Sequence, residues 1–360
     1  MEKVKRFIDG TINTPGCNLA CSYCYLGDRK GERNQKSFQY SMEVMRKALS
    51  VKRLGGVAYC AITGDGETLL ADSVFEFVQM LLNEGHYVHL TTNGTVSHKI
   101  DQMLSGYTQE MISRLRFHMS LHYIELKKKN LLDTFFENVE KIKKAGSSID
   151  VTITLSDEYI ECLEEIKDVC IQKMGALPQV TIARKNGKKP EILTKYSNEK
   201  YIEYARTFQS NLFEQQLFLW RGREKSFCYA GDWSFVLNYT TGRMSRCHAN
   251  VQGYNIFRDP EKKIKFDAVG YNCKSPCCYC SYFQGFGCVP NNDLPTVLEL
   301  YDRAEAHWTN DTMKNVLSHK LRETNEEYSL QKKKYNQLKQ IPYSIAYVVW
   351  TNLKALVRRI

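Results

Sequence analysis

Cys17-Asn18-Leu19-Ala20-Cys21-Ser22-Tyr23-Cys24-Tyr25 is the stretch from which the rest of the chain is read. It sets three thiols at the spacing C-x3-C-x2-C, one short of the four thiolates that complete a [4Fe-4S] cluster or a structural zinc site. A cluster held there keeps its fourth iron open to a small molecule. Taken alone, the loop also reads as a zinc knuckle or a chance group of buried thiols. The residues downstream decide between these.

At 360 residues and 43% apolar content the chain can hold one large domain and a smaller one, each with a core. The thirteen cysteines are grouped, and Met1-Glu2-Lys3-Val4-Lys5-Arg6 has no apolar run behind it, so no signal peptide is read. Metal-bound thiols in a reducing cytoplasm fit this better than a disulfide framework. The formal charge of +10 is spread along the chain. Basic and aromatic residues do not interleave in one binding module, which argues against a nucleic-acid partner.

Residues 4–14 mix β-branched and polar side chains up to Pro15-Gly16, so the cysteine loop hangs from a strand end. Ser41 to Lys52 has helical apolar spacing with Ser41 as N-cap. The run Val57 to Thr63 is a buried parallel strand that ends in Gly64-Asp65-Gly66-Glu67, where glycines let a ligand approach the backbone. Helix 73–84, strand 86–92, helix 98–114, strand 115–122, helix 131–145, strand 149–155, helix 157–174 and strand 179–184 continue the alternation. Six such units predict an α/β fold, a partial (β/α)6 TIM-type barrel over residues 1–190. Residues at the carboxy ends of such strands line the active face, which makes Ser120 and His122 candidates. Residues 191–225 read as a linker carrying a helix from Ser197 to Glu214, and 226–290 as a small cysteine-rich α+β domain. A C-terminal helical segment fills 291–360, with a Lys- and Glu-rich helix through 340. Its last apolar run, Ile345-Ala346-Tyr347-Val348-Val349-Trp350, is too short to span a bilayer. With Lys354, Arg358 and Arg359 it docks on the barrel or touches a membrane surface.

The cysteine loop, with aromatic Tyr23 before its third cysteine, resembles that of the radical S-adenosylmethionine (radical SAM) superfamily. Gly64-Asp65-Gly66-Glu67 resembles that family's GGE motif, with Asp65 where a second consecutive glycine stands. The resemblance implies that Cys17, Cys21 and Cys24 hold a catalytic [4Fe-4S] cluster whose open iron chelates S-adenosylmethionine. It implies that Gly64 to Glu67 hold the methionyl ammonium group, with Tyr23, Asn93, Ser120, His122, Thr154 and Arg184 as further cofactor contacts.

Cys228, Gly242 and Cys247 follow C-x13-G-x4-C, with strand-like residues and the turn Thr241-Gly242 between the thiols. A hairpin brings the two cysteines together. The pattern resembles the opening of the SPASM and twitch extensions of radical SAM enzymes, which implies an auxiliary [4Fe-4S] cluster. Cys277 and Cys280 are the pair a twitch domain would use with Cys228 and Cys247; Cys273, Cys278 and Cys288 bring the thiols to seven and leave room for a second cluster. A zinc-ribbon-like staple is the plainer reading. Cys60, Cys162 and Cys170 read as core thiols, with hydrogen-atom donation to a substrate radical as a lesser reading for Cys60.

The resemblance implies a radical SAM oxidoreductase that abstracts a substrate hydrogen atom and takes electrons from a donor such as flavodoxin or ferredoxin. A peptide or protein side chain is favoured slightly over a sugar or aminoglycoside-like small molecule. Beginning at the first strand, the chain shows no peptide-recognition stretch, which weighs against a leader peptide. A non-catalytic iron-sulfur or zinc scaffold, and an RNA-modifying enzyme, are the readings from other classes.

Overall fold

A computed structural model describes residues 3–24, 36–185, 190–222 and 226–339. Tyr25, residues 186–189 at the end of the expected barrel, and the apolar run at 345–350 lie outside the described residues.

The predicted alternation is realised in six parallel strands: β1 (Arg6–Ile12), β2 (Ala58–Gly64), β3 (Tyr87–Thr92), β4 (Leu115–Ser120), β5 (Ser148–Leu155) and β6 (Gln179–Ile182). The cysteine-rich segment adds β7 (Ser234–Asn238), β8 (Arg243–Cys247) and β9 (Asn250–Asn255) to the same sheet, in the order β6-β5-β4-β3-β2-β1-β7-β8-β9. β7 runs parallel to β1, with Phe7 opposite Ser234 and Thr11 opposite Asn238. β8 and β9 then return antiparallel. The result is an unclosed barrel of the α/β class whose first-strand edge is extended by the cysteine-bearing hairpin.

Period-2 alternation splits the strand residues between two apolar layers. Ile8, Cys60, Ile62, Val88, Leu90 and Phe117 pack with Phe77, Leu81, Phe135 and Val139 of the covering helices. Phe7, Tyr59 and Tyr87 face the other way and pack with Trp233, Phe283, Phe286 and Leu300. The helix Ser281–Gly285 closes the lumen floor: the Tyr282 ring stacks on Tyr301 with centroids 4.7 Å apart, and its hydroxyl lies 3.2 Å from Nδ1 of His89. At the same level the Arg116 guanidinium and the Asp150 carboxylate form a fully buried ion pair at 3.0 Å, and His118 takes the other carboxylate oxygen.

Several predicted helices are cut where a hydroxyl restarts the helix. Helix 41–52 divides into Met42–Ala48 and Val51–Leu54, and the Ser50 hydroxyl accepts from the Arg53 amide. Thr108 and Ser210 cap new helices in the same way inside 98–114 and 197–214. The long polar helix expected through 340 is also broken. Residues Asp311–Leu317 form one short helix, and residues 330–339 another. Trp308, Met313 and Leu317 are buried, and the Trp308 carbonyl accepts from the Ile149 amide at 2.8 Å. Burial of these apolar residues against the barrel bends a segment whose charge pattern reads as one solvated helix. Among the described residues no helix is long and apolar enough to cross a membrane.

Candidate active site

The cysteine loop leaves β1 at Ile12 and is tied to the carboxy ends of the neighbouring strands. The Glu67 amide donates to the Gly16 carbonyl at 2.9 Å, and Oδ1 of Asp65 accepts from the Thr14 amide at 2.7 Å and its hydroxyl at 3.1 Å. Gly66 has to be glycine here, because a Cβ would lie 2.2 Å from the Gly16 carbonyl oxygen and 2.5 Å from the Thr14 hydroxyl. Asp65 therefore departs from the expected glycine for a reason. Its carboxylate replaces loop flexibility with two hydrogen bonds that fix the root of the cysteine loop.

Farther along, Nδ2 of Asn93 donates to Oδ1 of Asn18 at 2.8 Å and lies 3.8 Å from the Cys17 sulfur. Nδ2 of Asn18 reaches the Thr95 hydroxyl at 2.8 Å, and the Ala20 amide reaches Glu125 at 3.4 Å. The Tyr23 hydroxyl is 2.8 Å from both Nδ1 of His122 and the Tyr159 hydroxyl. The three thiols thus sit over the ends of β2 to β5. Burial, then the neighbouring Cys17 and Cys24, push the Cys21 thiol up to about 12. Without a cation it stays protonated, so iron binding has to displace a proton.

Glu67 is buried and spends its carboxylate inside the protein. Oε1 accepts from the Leu69 amide at 3.0 Å and the Thr92 hydroxyl at 2.6 Å, and Oε2 accepts from the Asn93 amide at 2.7 Å. It braces β2 against β3. Ser120 ends β4, and the Thr154 hydroxyl pairs with that of Thr181 at 3.0 Å. Arg184 lies apart from the loop, bridging to Ile192 and holding its guanidinium 5.4 Å from the Tyr279 ring centroid, next to the second cysteine group. Cys60 is fully buried in the layer under the helices.

That second group converges. Cys228, Cys247, Cys273, Cys277, Cys278, Cys280 and Cys288 all line one cavity, together with His248. The β7–β8 hairpin delivers Cys247, and its turn needs Gly242, at φ +73, where a Cβ would strike Phe257. Cys288 donates to the Ser234 hydroxyl at 3.0 Å. After burial, Cys288, Cys278 and Cys247 hold the Cys228 thiol above its ordinary range, and Cys273 and Cys278 do the same for Cys247. Cys280 instead lies 3.4 Å from the Asp9 carboxylate.

Residues 11–170 match the Radical SAM superfamily. The chain carries a radical SAM domain. A 7-carboxy-7-deazaguanine synthase of Clostridium acetobutylicum is 30% identical over 144 residues, 37% of this chain and 62% of that protein. A probable GTP 3',8-cyclase of Methanococcus maripaludis is 26% identical over 170 residues, 46% of this chain and 56% of that protein. The chain thus spans less than two thirds of the length of either relative. The crystal structure of Streptococcus suis SuiB bound to S-adenosylmethionine superposes with TM-score 0.52 at 14% identity, over 85% of this chain and 77% of that one. SuiB bound to the precursor peptide SuiA gives 0.50 at 13% identity. Identities this low establish likeness of fold.

The radical SAM domain implies a [4Fe-4S] cluster and S-adenosylmethionine, and three soft thiolate donors on one braced loop suit such a cluster. The structure brings Tyr23, Asn93 and His122 against this loop, and Gly64 to Glu67 under it. Asn18, Thr95, Glu125 and Tyr159 belong to the same network and were not singled out in the sequence. Their one signal there is position: Thr95 and Glu125 follow β3 and β4 by a few residues, at the active end of the radical SAM barrel.

Proposed function

We propose that the chain is a radical SAM enzyme that modifies a peptide or protein side chain, with an auxiliary iron-sulfur centre in its C-terminal cysteine cavity. The observation that carries this is the docking of Cys17, Cys21 and Cys24 over the strand ends through Asp65, Asn93 and Tyr23. The bound cluster and cofactor would supply one electron to the sulfonium, giving methionine and a 5'-deoxyadenosyl radical that takes a substrate hydrogen atom. The protein's part is positional. Cys17, Cys21 and Cys24 hold the cluster, the backbone at Gly64 to Gly66 receives the methionyl group, and Tyr23 and His122 border the cofactor. The floor of Tyr282, Tyr301, Arg116 and Asp150 keeps water from the lumen.

A peptide substrate is supported by the SuiB likeness, which extends over 85% of this chain, whereas the synthase and cyclase align with 37% and 46%. The names of those relatives favour the second reading, a nucleotide- or sugar-like small molecule. A ferredoxin or flavodoxin would supply the electron.

Anaerobic reconstitution, reduction with dithionite and measurement of 5'-deoxyadenosine test the activity. Product is expected from the native chain and none from Cys17→Ala, Cys21→Ala or Cys24→Ala. Absence of product from the native, cluster-loaded chain would sink the reading in favour of a non-catalytic scaffold.

A further inference from the structure

Basic residues are scattered along the whole chain, but the net charge gathers in one stretch. Residues 330–360 carry five lysines, two arginines and no aspartate or glutamate, which accounts for seven of the formal +10. Tyr335, Tyr343, Tyr347 and Trp350 stand among the aliphatic residues of the same stretch.

The helix at 330–339 turns its apolar side outward. Leu330, Tyr335 and Leu338 are 78%, 67% and 64% exposed. Leu330, Lys334 and Leu338 follow one another at four-residue steps and so form one row, with Tyr335 beside it. Asn336 lies on the opposite side and is buried. Its Nδ2 donates to the Ala268 carbonyl at 3.0 Å and to Oδ1 of Asp267 at 3.2 Å. Lys333 pairs with Glu327 at 2.9 Å, and Lys339 with Asp267 at 3.5 Å. The polar side is thus pinned to the body of the protein and the apolar row faces water, the reverse of an ordinary surface helix.

We propose that this row, with the aromatic and basic residues that follow it in sequence, docks the protein on an anionic lipid bilayer. An acidic peptide or a nucleic acid would pair with the lysines but leave Leu330 and Leu338 in water. A second copy of the chain would set like charge against like. An anionic bilayer meets both features at once: aliphatic side chains enter the boundary of the acyl region, tyrosine and tryptophan sit at headgroup level, and lysine and arginine are drawn to the negative surface. The apolar run at 345–350 is too short to span, so the contact is peripheral and reversible. It does not depend on which reaction the chain performs.

The test is flotation of the full chain with vesicles of phosphatidylserine and phosphatidylcholine, and separately with vesicles of phosphatidylcholine alone. Binding to the first is expected to be at least about ten-fold tighter and to fall as salt is raised. Leu330→Ser with Leu338→Ser keeps every charge and should weaken binding to the anionic vesicles about ten-fold. Both leucines are exposed, so the unfolding midpoint of this pair should match that of the native chain. Lys334→Glu with Arg358→Glu and Arg359→Glu should weaken binding to the anionic vesicles at least as much. Equal binding to the two kinds of vesicle, or binding to neither, would overturn the proposal. So would a serine pair that binds like the native chain while polyglutamate competes the vesicles away, which would assign the lysines to an acidic peptide. A dimer that the serine pair dissociates would assign the row to a second copy and overturn it as well.

Discussion

Oδ1 of Asp65 accepts two hydrogen bonds from Thr14, one from the amide at 2.7 Å and one from the hydroxyl at 3.1 Å. These join the end of β2 to the root of the cysteine loop. Asp65→Gly, which restores the usual family residue, should cost about 2 kcal/mol in denaturant unfolding, the range for hydrogen bonds to a charged group. It should also lower iron occupancy after reconstitution. Asp65→Asn keeps one acceptor and should lose less. Equal stability and iron content in the glycine variant would show that the bonds do not set the loop.

Glu67 meets three donors with two oxygens in a buried site. Glu67→Gln turns one oxygen into a donor that faces the amide of Asn93 or the groups of Leu69 and Thr92. The expected cost is about 2 kcal/mol, measured as a lower denaturation midpoint with unchanged slope. A variant as stable as the native chain would show that the carboxylate is free for a ligand.

His122 should give the protein a pH signature. Burial holds its pKa down at about 4, against an ordinary 6.5, with Glu125 opposing. The folded state therefore keeps it neutral while the unfolded state takes up a proton. Its contribution is complete above pH 6.5, falls as pH drops toward 4 and is flat below. The whole span amounts to about 3 kcal/mol. Unfolding curves between pH 4 and 7 should show this slope, and His122→Gln should reduce it. Parallel curves for the two proteins would contradict the assignment.

Asp150 is tied to Arg116 at 3.0 Å with both side chains fully buried. Burial raises the carboxyl, but Arg116 and His118 more than offset it, and the group titrates below its ordinary range. Asp150→Asn strands a buried guanidinium and should cost about 3 to 5 kcal/mol, while Arg116→Met with Asp150→Leu should recover most of that. Calorimetric or denaturant unfolding of the native chain and the two variants decides.

The βα alternation was legible because a parallel strand buried on both faces is a near-continuous apolar run, as in Val57 to Thr63, and its helices carry a 3.6-residue stripe, as in Phe135, Phe136, Val139 and Ile142. Helix breaks at Ser50, Thr108 and Ser210 were missed because a hydroxyl inside an apolar stripe reads equally as a solvent-facing residue. The second cysteine group was legible as a group only, since thiols close in sequence carry no record of which share a face.

By itself, the sequence determined the three-thiol loop, the glycine turn that follows β2 and the repeating units between them, because these rest on local spacing and on one strand's period. Tertiary structure decided the rest. That β7 lies beside β1 brings residues more than two hundred positions apart into register, and only this pairing sets Asp9 against His248 and Cys280. No local pattern encodes such a contact; it follows from burying both faces of an open sheet at once.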